Sequence, residues 1–445
     1  MKVNVREVCK SSQFSNITPP NPLRALLLTL SNPLKKQRIV RSVKVVEDLG
    51  FSIDYFLTTK TIEELKADSS SIAERAIPID AGYTRTIKAR ISRNFLSTIS
   101  LLLNRRSKVR HRIVLSLQVP EYNRILTESK LTGGIDYSLI LVEEIQLLPF
   151  ALELKSRSSI STRLVVELRD YYWHDRTAFS IRESLSKKMV WLFFRAKAQS
   201  NRRHLYRRYL PFADQVFTVS NSLSREIKET TGVASRVVYS LPQFAEAPVV
   251  SRSSKDSLQF IYHGLALRKR KHENLIKAFQ AASAEIHLVL YLVAGDELYI
   301  EELRALTCGR VEIREPVPYA KLVEEAARYD VGLAYFPDDD STMRGALPNK
   351  FFEYFQSRIP VLASPSEDMV KILNEWGTGW ATKDWSFGSL VECLESITPE
   401  MVTEAQQNCE RAARHFCFET NRSQLEQVLL GSELPQGKGS REKLV

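Results

Sequence analysis

The stretch LPNKFFEYFQSRIPVLAS, from Leu347 to Ser364, combines a short helix with a buried strand. Pro348 suits the entrance of a helix, where a missing N–H costs no hydrogen bond, and we predict a helix from Asn349 to Ser357. Three phenylalanines give this helix one apolar face for packing on a sheet. The apolar run Ile359–Ala363 predicts the strand that follows. A helix that leads directly into a buried strand is typical of an α/β fold.

Lys350 and Glu353 are the two charged residues of this predicted helix. They are three positions apart, so they are neighbours on the side opposite to the phenylalanines. One interpretation is an exposed ion pair, worth roughly a few tenths of a kcal/mol. The other is a ligand site, because a carboxylate at the carboxyl edge of a sheet is well placed to accept two hydrogen bonds from a ribose diol. Lys350 would then reach the phosphates of the same ligand.

Apolar strands alternate with helical segments along most of the chain, which predicts parallel, doubly wound sheets. The stretch EAPVVSRSSKDS interrupts this alternation with proline and small polar residues, so we predict two Rossmann-like domains that face a central cleft. The predicted parts are a polar, flexible leader (1–21), an N-terminal acceptor domain (22–245), a linker (246–257), a C-terminal donor domain (258–430) and a flexible tail (431–445).

Cysteine usage and hydropathy predict the compartment. The five cysteines form no CxxC pair, which favours a reducing, cytoplasmic environment and argues against a structural zinc site. The N-terminal segment lacks the apolar core of a secretory signal. No apolar run approaches the length of a membrane span.

The net charge of +11 is distributed unevenly. Residues 1–250 hold 40 Lys/Arg and 23 Asp/Glu, a net +17, whereas residues 251–445 hold 23 and 29, a net −6. A basic half joined to an acidic half supports two domains with different partners. The basic half suits nucleic acid, an anionic membrane surface or a phosphorylated acceptor.

The loop in YHGLALRKRKHENLIKAF (262–279) carries four consecutive cations, Arg268 to Lys271, at the start of a predicted helix. Cations are unfavourable there because the helix dipole is already positive. A pyrophosphate docked between the cations and the helix N–H groups would explain them. The alternative is a solvated basic turn. The chain has neither a GxGxxG nor a Walker-type phosphate motif.

Four stretches of the second half, in their order, resemble the C-terminal domain of glycosyltransferase family 4: FIYHGLALRKRKHENLIKAF, VPYAKLVEEAARYDVGLAYF, LPNKFFEYFQSRIPVLAS and EWGTGW. The first half resembles the family more loosely, in SNPLKKQRIVRSVKVVEDLGFSIDYF, DYSLILVEEIQLLPFAL, RLVVELRDYYWHD and ADQVFTVSNSLSREI. The resemblance covers roughly residues 22–430. It implies a GT-B fold and a retaining transferase that uses a nucleotide-sugar donor and a glycan or lipid-linked acceptor.

The resemblance also implies the donor site. Arg270 and Lys271 take the place of the basic pair that holds the pyrophosphate, and Glu353 that of the ribose-binding glutamate. The segment PVPY (316–319) would lie against the nucleobase, mainly through its backbone. The implied donor-binding residues are Gly264, Arg270, Lys271, Val317, Asn349, Lys350 and Glu353.

The chain departs from the family at three places. Many members have a second glutamate eight residues before the ribose-binding one, where this chain has Gly345; subgroups with a PxKxxEY block often lack it. A His-Asp pair of the first domain is replaced by Glu143-Glu144, and a D-x-H-E pattern reads ELRD at 167–170. Donor binding therefore carries over better than catalysis does.

The resemblance implies a metal-independent reaction without a cofactor. The leaving nucleoside diphosphate develops negative charge, which Arg270 and Lys271 would stabilise as part of the catalytic set. The run DDD at 338–340 suggests a DxD metal motif, but a solvated turn is the preferred interpretation. Side chains of the first domain would position the sugar and acceptor hydroxyls. These are Glu143 and Asp170 in the catalytic set, with Glu144, Arg169 and His174 on the acceptor side.

Residues 182–209 hold nine Lys/Arg and one Asp/Glu interspersed with aromatic residues. This strip reads as an amphipathic basic helix that lies on an anionic membrane, which would make the protein peripheral at the inner face. The alternative is that its apolar side packs on the sheet and only its charges face solvent.

Three other functions stay open at this point. A GT-B nucleotide-sugar epimerase would bind the same donor but transfer nothing to an acceptor. A catalytically silent GT-B subunit would bind and stabilise a partner transferase. Nucleic-acid binding is the weakest, because no recognised motif accompanies the charge.

Overall fold

The computed structural model describes residues 23–78, 136–169, 171, 173, 199–248, 257–337, 345 and 347–431. By packing, the chain divides into two compact units that separate between Val166 and Glu167. Within the described ranges there are two sheets, one of seven strands and one of six, and every strand pairing given for them is parallel.

The first sheet has the strand order β3-β2-β1-β4-β5-β6-β7. Its strands are short apolar runs, as in YSLILV and RLVVEL, that are buried on both faces because helices cover parallel sheets. The elements are β1 (Arg24–Leu28), α1 (Gln37–Asp48), β2 (Ser52–Leu57), α2 (Thr59–Ala67), β3 (Ala76–Pro78), β4 (Leu139–Val142), α3 (Leu148–Arg157), β5 (Arg163–Leu168), β6 (Gln215–Thr218), α4 (Asn221–Thr231) and β7 (Arg236–Val237).

The second sheet has the order β10-β9-β8-β11-β12-β13. Its elements are β8 (Leu258–Ala266), α5 (His272–Ala281), β9 (Ile286–Ala294), α6 (Glu297–Leu306), β10 (Val311–Arg314), α7 (Leu322–Ala326), β11 (Val331–Ala334), α8 (Asn349–Gln356), β12 (Val361–Ala363), α9 (Glu367–Trp376), β13 (Gly379–Ala381), α10 (Phe387–Ser396), α11 (Pro399–His415) and α12 (Phe418–Leu430). The six strands follow the doubly wound order, which confirms the predicted fold class.

α8 begins at the predicted residue and ends one residue early, at Gln356. Arg358 has a φ of +58°, a left-handed conformation that terminates the helix. Pro360 has no N–H to donate, so the regular strand begins at Val361 rather than at the predicted Ile359.

α8 is buried on all sides. Every residue from Lys350 to Gln356 is buried, and Lys350 and Glu353 are only 6% and 5% exposed. The interpretation of these two as an exposed ion pair is therefore wrong. The Tyr354 hydroxyl donates to the carbonyls of Ile261 (3.2 Å) and Leu333 (3.4 Å). This places α8 across β8 and β11.

Asp368, near the start of α9, caps the N-terminus of α4. Its carboxylate accepts from the backbone N–H of Asn221 (2.9 Å) and of Ser222 (3.0 Å), and also from the Ser222 hydroxyl. The Ser220 hydroxyl donates to the carbonyl of Gly345 at 2.9 Å. A Cβ on Gly345 would lie 3.3 Å from the Ser222 hydroxyl. Because α4 packs so closely here, the departure at position 345 has a local packing reason.

Several sequence predictions fall outside the described residues. They concern the leader, most of the linker, a strand that the apolar run RIVLSLQV (112–119) predicts, the DDD run and most of the tail. The predicted domain boundaries stay predictions. In the described part of the chain, no helix is both long and apolar enough to cross a membrane.

Candidate donor site

The strand order of the second sheet reverses between β8 and β11. In open α/β sheets, ligands bind beyond the carboxyl ends of the strands at such a switch point. Gly264 lies near the end of β8, and Phe336 lies two residues after β11. The 3-10 turn Arg268–Arg270 and α5 follow β8, and α8 follows β11. The candidate site is built from these segments.

Gly264 is the point where the predicted donor residues converge. Its φ of +147° disfavours any other residue. A Cβ built on it would lie 3.1 Å from Arg270 Nη1 and 3.2 Å from Lys350 Nζ. Three residues that the sequence places as much as 86 positions apart, between 264 and 350, thus share one small volume. Any side chain at 264 would occupy the space beside both cations.

The four consecutive cations divide into separate groups. Arg268 turns towards α6, where it pairs with Asp296 (3.0 Å) and makes two hydrogen bonds to Glu302 (2.6 and 2.9 Å). Lys269 is exposed, and Arg270 is half-buried. Among the described residues, no carboxylate forms an ion pair with Arg270, whose Nη1 donates to the Tyr262 hydroxyl at 3.4 Å. The charge of Arg270 therefore remains available to a ligand.

Lys271 occupies the N-cap position of α5 in a left-handed conformation, with a φ of +48°. The first N–H groups of this helix are largely engaged. The N–H of His272 donates to the Tyr299 hydroxyl at 3.0 Å, and that of Asn274 to the Lys271 carbonyl at 2.9 Å. The expected docking of an anion on these backbone groups is thus reduced, and side chains become the main donors.

Lys350 carries a buried amine. Its Nζ lies 3.4 Å from the centre of the Tyr262 ring and 5.4 Å from that of Phe336. No hydrogen-bond acceptor contacts it in the described structure. Burial first, and then the charge of Arg270, hold the pKa of Lys350 well below its usual value, against the opposing effect of Glu353. A phosphate group would supply the missing acceptor and the compensating charge.

Glu353 is held from two sides. The Tyr319 hydroxyl donates to Oε1 at 3.0 Å, and His263 Nε2 lies 3.5 Å from Oε2. Burial, followed by the charges of Lys350 and Arg270, lowers the pKa of His263 well below its usual value, so the imidazole is neutral at pH 7. The carboxylate keeps acceptor capacity for a diol, since each of its oxygens can accept more than one hydrogen bond.

The predicted nucleobase segment lies next to this carboxylate. Tyr319 connects PVPY to Glu353, and Val317 packs partly buried against the core around α8. Asn349 is half-buried at the first position of α8. The structure thus places the predicted donor residues at one edge of the sheet, and their binding roles stay predictions.

Sequence reasoning missed the aromatic residues that hold the cations. Tyr262 lies beneath Lys350, and Phe336 lies 5.6 Å from the Arg270 guanidinium. The backbone of Phe336 is fixed by the Ser364 hydroxyl, which accepts from its N–H at 2.6 Å. Tyr262 and His263 directly precede Gly264, so their position in the sequence was the available signal.

Residues predicted for the acceptor side are placed only in part. The Glu144 carboxylate accepts from the Leu30 N–H (3.0 Å) and the Ser31 hydroxyl (3.2 Å), with Lys36 Nζ at 3.6 Å. It thereby fixes the loop after β1. Glu143 is buried just after β4, and Arg169 is half-buried just after β5. Asp170 and His174 lie outside the described residues.

The basic strip is described only from residue 199 onwards. Residues 199–209 are helical, and Leu205, Tyr206 and Tyr209 are buried. Arg203 and Arg207 lie 5.3 and 4.7 Å from the Trp173 ring. In this part of the strip the apolar side packs inside the protein; the remainder lies outside the described residues.

The described part of the chain holds no group of three or more side chains that could bind a metal ion.

The chain is similar in fold to several solved structures, glycosyltransferases among them. HepE of Anabaena in complex with UDP is 13% identical, with a TM-score of 0.55, over 92% of this chain and 100% of its own. The sucrose-phosphate synthase of Thermosynechococcus elongatus is 13% identical, with a TM-score of 0.58, over 91% of this chain and 98% of its own. The lipopolysaccharide outer core galactosyltransferase WaaB, in its apo form, is 10% identical, with a TM-score of 0.56, over 92% and 99%. No protein-family model and no curated protein matches the chain. The likeness confirms the GT-B fold that the sequence predicted.

Proposed function

We propose that the protein is a retaining glycosyltransferase of the family 4 type, which moves a sugar from a nucleoside-diphosphate-sugar to a glycan or lipid-linked acceptor. The observation that carries this proposal is the convergence of Arg270 and Lys350 on Gly264 at the switch point of the sheet, with Glu353 against the neighbouring His263. The Arg270 guanidinium and the Lys350 amine, whose charged form a bound phosphate would favour, lie on the same edge as a carboxylate, which suits the phosphates and the ribose of one nucleotide.

The cations would act on the leaving group. When the bond from the sugar to the diphosphate breaks, the diphosphate gains negative charge, and fixed cations stabilise that charge. Arg270 and Lys350 are preorganised by aromatic rings rather than by carboxylates. Lys271 would add a third cation. This arrangement supports a reaction that needs no metal ion and no cofactor.

Glu353 would select the nucleoside. A carboxylate that accepts both hydroxyls of a ribose diol binds a ribonucleotide more tightly than the 2′-deoxy analogue. Tyr319 would carry the PVPY segment against the base, because its hydroxyl is tied to the same carboxylate. Gly264 and Asn349 would leave room for the donor and contact it.

The acceptor side rests on the resemblance alone. Glu143, Asp170, Arg169 and His174 would position the sugar and acceptor hydroxyls, and a donor phosphate oxygen would take the proton of the attacking hydroxyl. A role in cell-surface polysaccharide or glycolipid synthesis follows the same resemblance. The same resemblance would place the protein in the cytoplasm, peripheral at the inner face of the membrane.

A catalytically silent subunit is the second candidate. The Glu144 carboxylate is used by the loop after β1, so it has less capacity to bind an acceptor. Such a subunit would bind a nucleotide and a partner transferase without transferring sugar. Nucleotide binding alone therefore does not separate the two candidates, and sugar transfer does.

The test is transfer from a panel of nucleotide-sugars with membrane lipid extract and glycans as acceptors, followed by release of nucleoside diphosphate and product analysis. We expect release that depends on acceptor, and a loss of about 10- to 150-fold in kcat/KM for Glu353→Ala, because hydrogen bonds to a charged group contribute about 1.5–3 kcal/mol. Glu375→Ala, an exposed glutamate on α9, is the matched control. Diphosphate binding without release would favour the silent subunit, and an isomerised donor would favour the epimerase.

A further inference from the structure

His272, the first residue of α5, is fully buried and uses only one of its two ring nitrogens. Nε2 lies 3.2 Å from the Tyr262 hydroxyl. Nδ1 is buried and has no hydrogen-bond partner among the described residues. A buried polar nitrogen without a partner is unfavourable, which points to a group that binds there.

The hydrogen-bond chain is compatible with a proton on Nδ1 of this imidazole. A guanidinium can only donate, so the Tyr262 hydroxyl accepts from Arg270 Nη1 at 3.4 Å. The hydroxyl proton is then free to donate to His272 Nε2. A neutral imidazole that accepts at Nε2 carries its own proton on Nδ1.

The imidazole stays neutral at physiological pH. Burial, and then the charges of Lys350 and Arg270, lower the pKa of His272 to about 3. With its proton on Nδ1, the neutral imidazole presents a donor at the N-terminus of a ten-residue helix. It belongs to the same cluster as the cations, because Tyr262 contacts His272, Arg270 and Lys350.

We propose that His272 is a further phosphate-binding residue of the donor site, whose Nδ1–H donates to an oxygen of the diphosphate. Tyr262 is the positioning residue that fixes the tautomer. This inference rests on the proposed function, and it extends the site from charged groups to a neutral donor. The engaged backbone N–H groups of α5 leave this side-chain donor to serve the anion.

Two substitutions of His272 test the roles of its two ring nitrogens separately. His272→Gln places an amide near Nε2 and keeps the contact with Tyr262, but it leaves no donor at the Nδ1 position. His272→Asn places its amide near Nδ1 instead. The affinities of both variants and of the wild type are measured by isothermal titration calorimetry. The ligands are the nucleoside diphosphate that binds the wild type, its nucleoside, and inorganic pyrophosphate.

For His272→Gln we expect affinities for the diphosphate and for pyrophosphate about tenfold lower, as for one hydrogen bond to a charged group, with unchanged nucleoside affinity. His272→Asn should stay within about threefold of the wild type. Equal diphosphate affinity in wild type and His272→Gln, or an equal loss for the nucleoside, would overturn the role of His272. If the wild type bound no diphosphate and no pyrophosphate, the proposed function and this inference would both fail.

A second measurement needs no ligand. Long-range proton–nitrogen correlation spectra of protein labelled in histidine distinguish the two tautomers, and the His272 signal is the one that is missing in His272→Gln. We expect this histidine to stay neutral down to about pH 4, with its proton on Nδ1. A proton on Nε2 of that histidine would overturn the inference. In Tyr262→Phe, which keeps the ring beneath Lys350, this tautomer preference should be lost.

Discussion

Replacing Lys350 by methionine should stabilise the ligand-free protein while it weakens donor binding. Methionine keeps the unbranched stem of lysine and removes only the amine, which is buried and makes no hydrogen bond to the described residues. A buried donor without a partner costs about 1–3 kcal/mol. In the ligand-free protein, burial and Arg270 disfavour the charged form of the amine, so little cation–π attraction to Tyr262 is lost.

The expected change is therefore an increase of about 1–3 kcal/mol in the free energy of unfolding. For a domain of 150–250 residues this corresponds to a rise of about 2–12 °C in Tm. The pH dependence has a definite sign. The unfolded chain protonates Lys350 below pH 10.5 and the folded chain does so only at much lower pH, so the wild type loses stability as the pH falls below 10.5. The advantage of the variant should shrink when the pH is raised from 7 to 9.5.

Differential scanning calorimetry at both pH values measures this effect. Lys371→Met, at an exposed lysine of α9, is the matched control and should change stability by less than about 0.5 kcal/mol. A nucleoside diphosphate at 100 times its wild-type Kd should stabilise the wild type by about 2.7 kcal/mol. It should stabilise Lys350→Met by only about 0.3–1.4 kcal/mol if one charge-assisted contact is lost. A ligand-free variant that unfolds below the wild type would refute the reasoning, because the amine would then be a stabilising group.

Three further predictions follow from local geometry. Gly264→Ala should weaken diphosphate binding at least tenfold by titration, since its Cβ would meet Arg270 at 3.1 Å, whereas Gly309→Ala, with open space around it, should bind as the wild type does. Asp368→Asn should lower the free energy of unfolding by about 1 kcal/mol in urea, because it weakens the cap of α4. Since the pKa of His272 is about 3 in the folded protein and about 6.5 unfolded, stability should fall as the pH drops from 6.5 towards 3, by up to about 1.4 kcal/mol per pH unit, and His272→Gln should fall less steeply.

Each of these three predictions has a result that would contradict it. Unchanged binding in Gly264→Ala would show that the volume beside the cations is not used by the ligand. An Asp368→Asn variant as stable as the wild type would show that the cap is replaced by solvent. Equal pH slopes in wild type and His272→Gln would show that the imidazole protonates in the folded state.

The sequence was sufficient for the sheet strands because their apolar runs are short and bounded by turn residues. The apolar run RLVVEL predicts a strand over 163–168, which is where β5 lies, and α8 begins where Pro348 predicts. The sequence pattern predicts one helical region over 402–429. The structure has two helices there, α11 and α12, since Phe416 leaves helical geometry and packs its ring on Phe352 and Phe355. That break depends on tertiary contacts with α8, which no local pattern encodes.

The sequence identified the charged residues of the candidate site, but it did not show how these residues are paired or buried. Arg268 and Arg270 are equivalent in the sequence, but only the structure shows that Arg268 is neutralised by Asp296 and Glu302. The burial of Lys350 could not be read from a helix with one apolar face, because both faces are covered. The contacts of Tyr262 with Lys350, Arg270 and His272 depend on the tertiary structure, so the sequence did not show that Tyr262 connects them.

The most direct test of the central claim is calorimetric titration of the wild type with UDP, GDP, ADP and dTDP and with their nucleosides, beside Glu353→Gln. The account predicts one preferred diphosphate, bound at least a hundredfold more tightly than its nucleoside, and a loss of about tenfold or more in Glu353→Gln with pyrophosphate affinity unchanged. Absence of binding by every diphosphate, or equal binding by the variant, would contradict a donor site at the switch point of the second sheet.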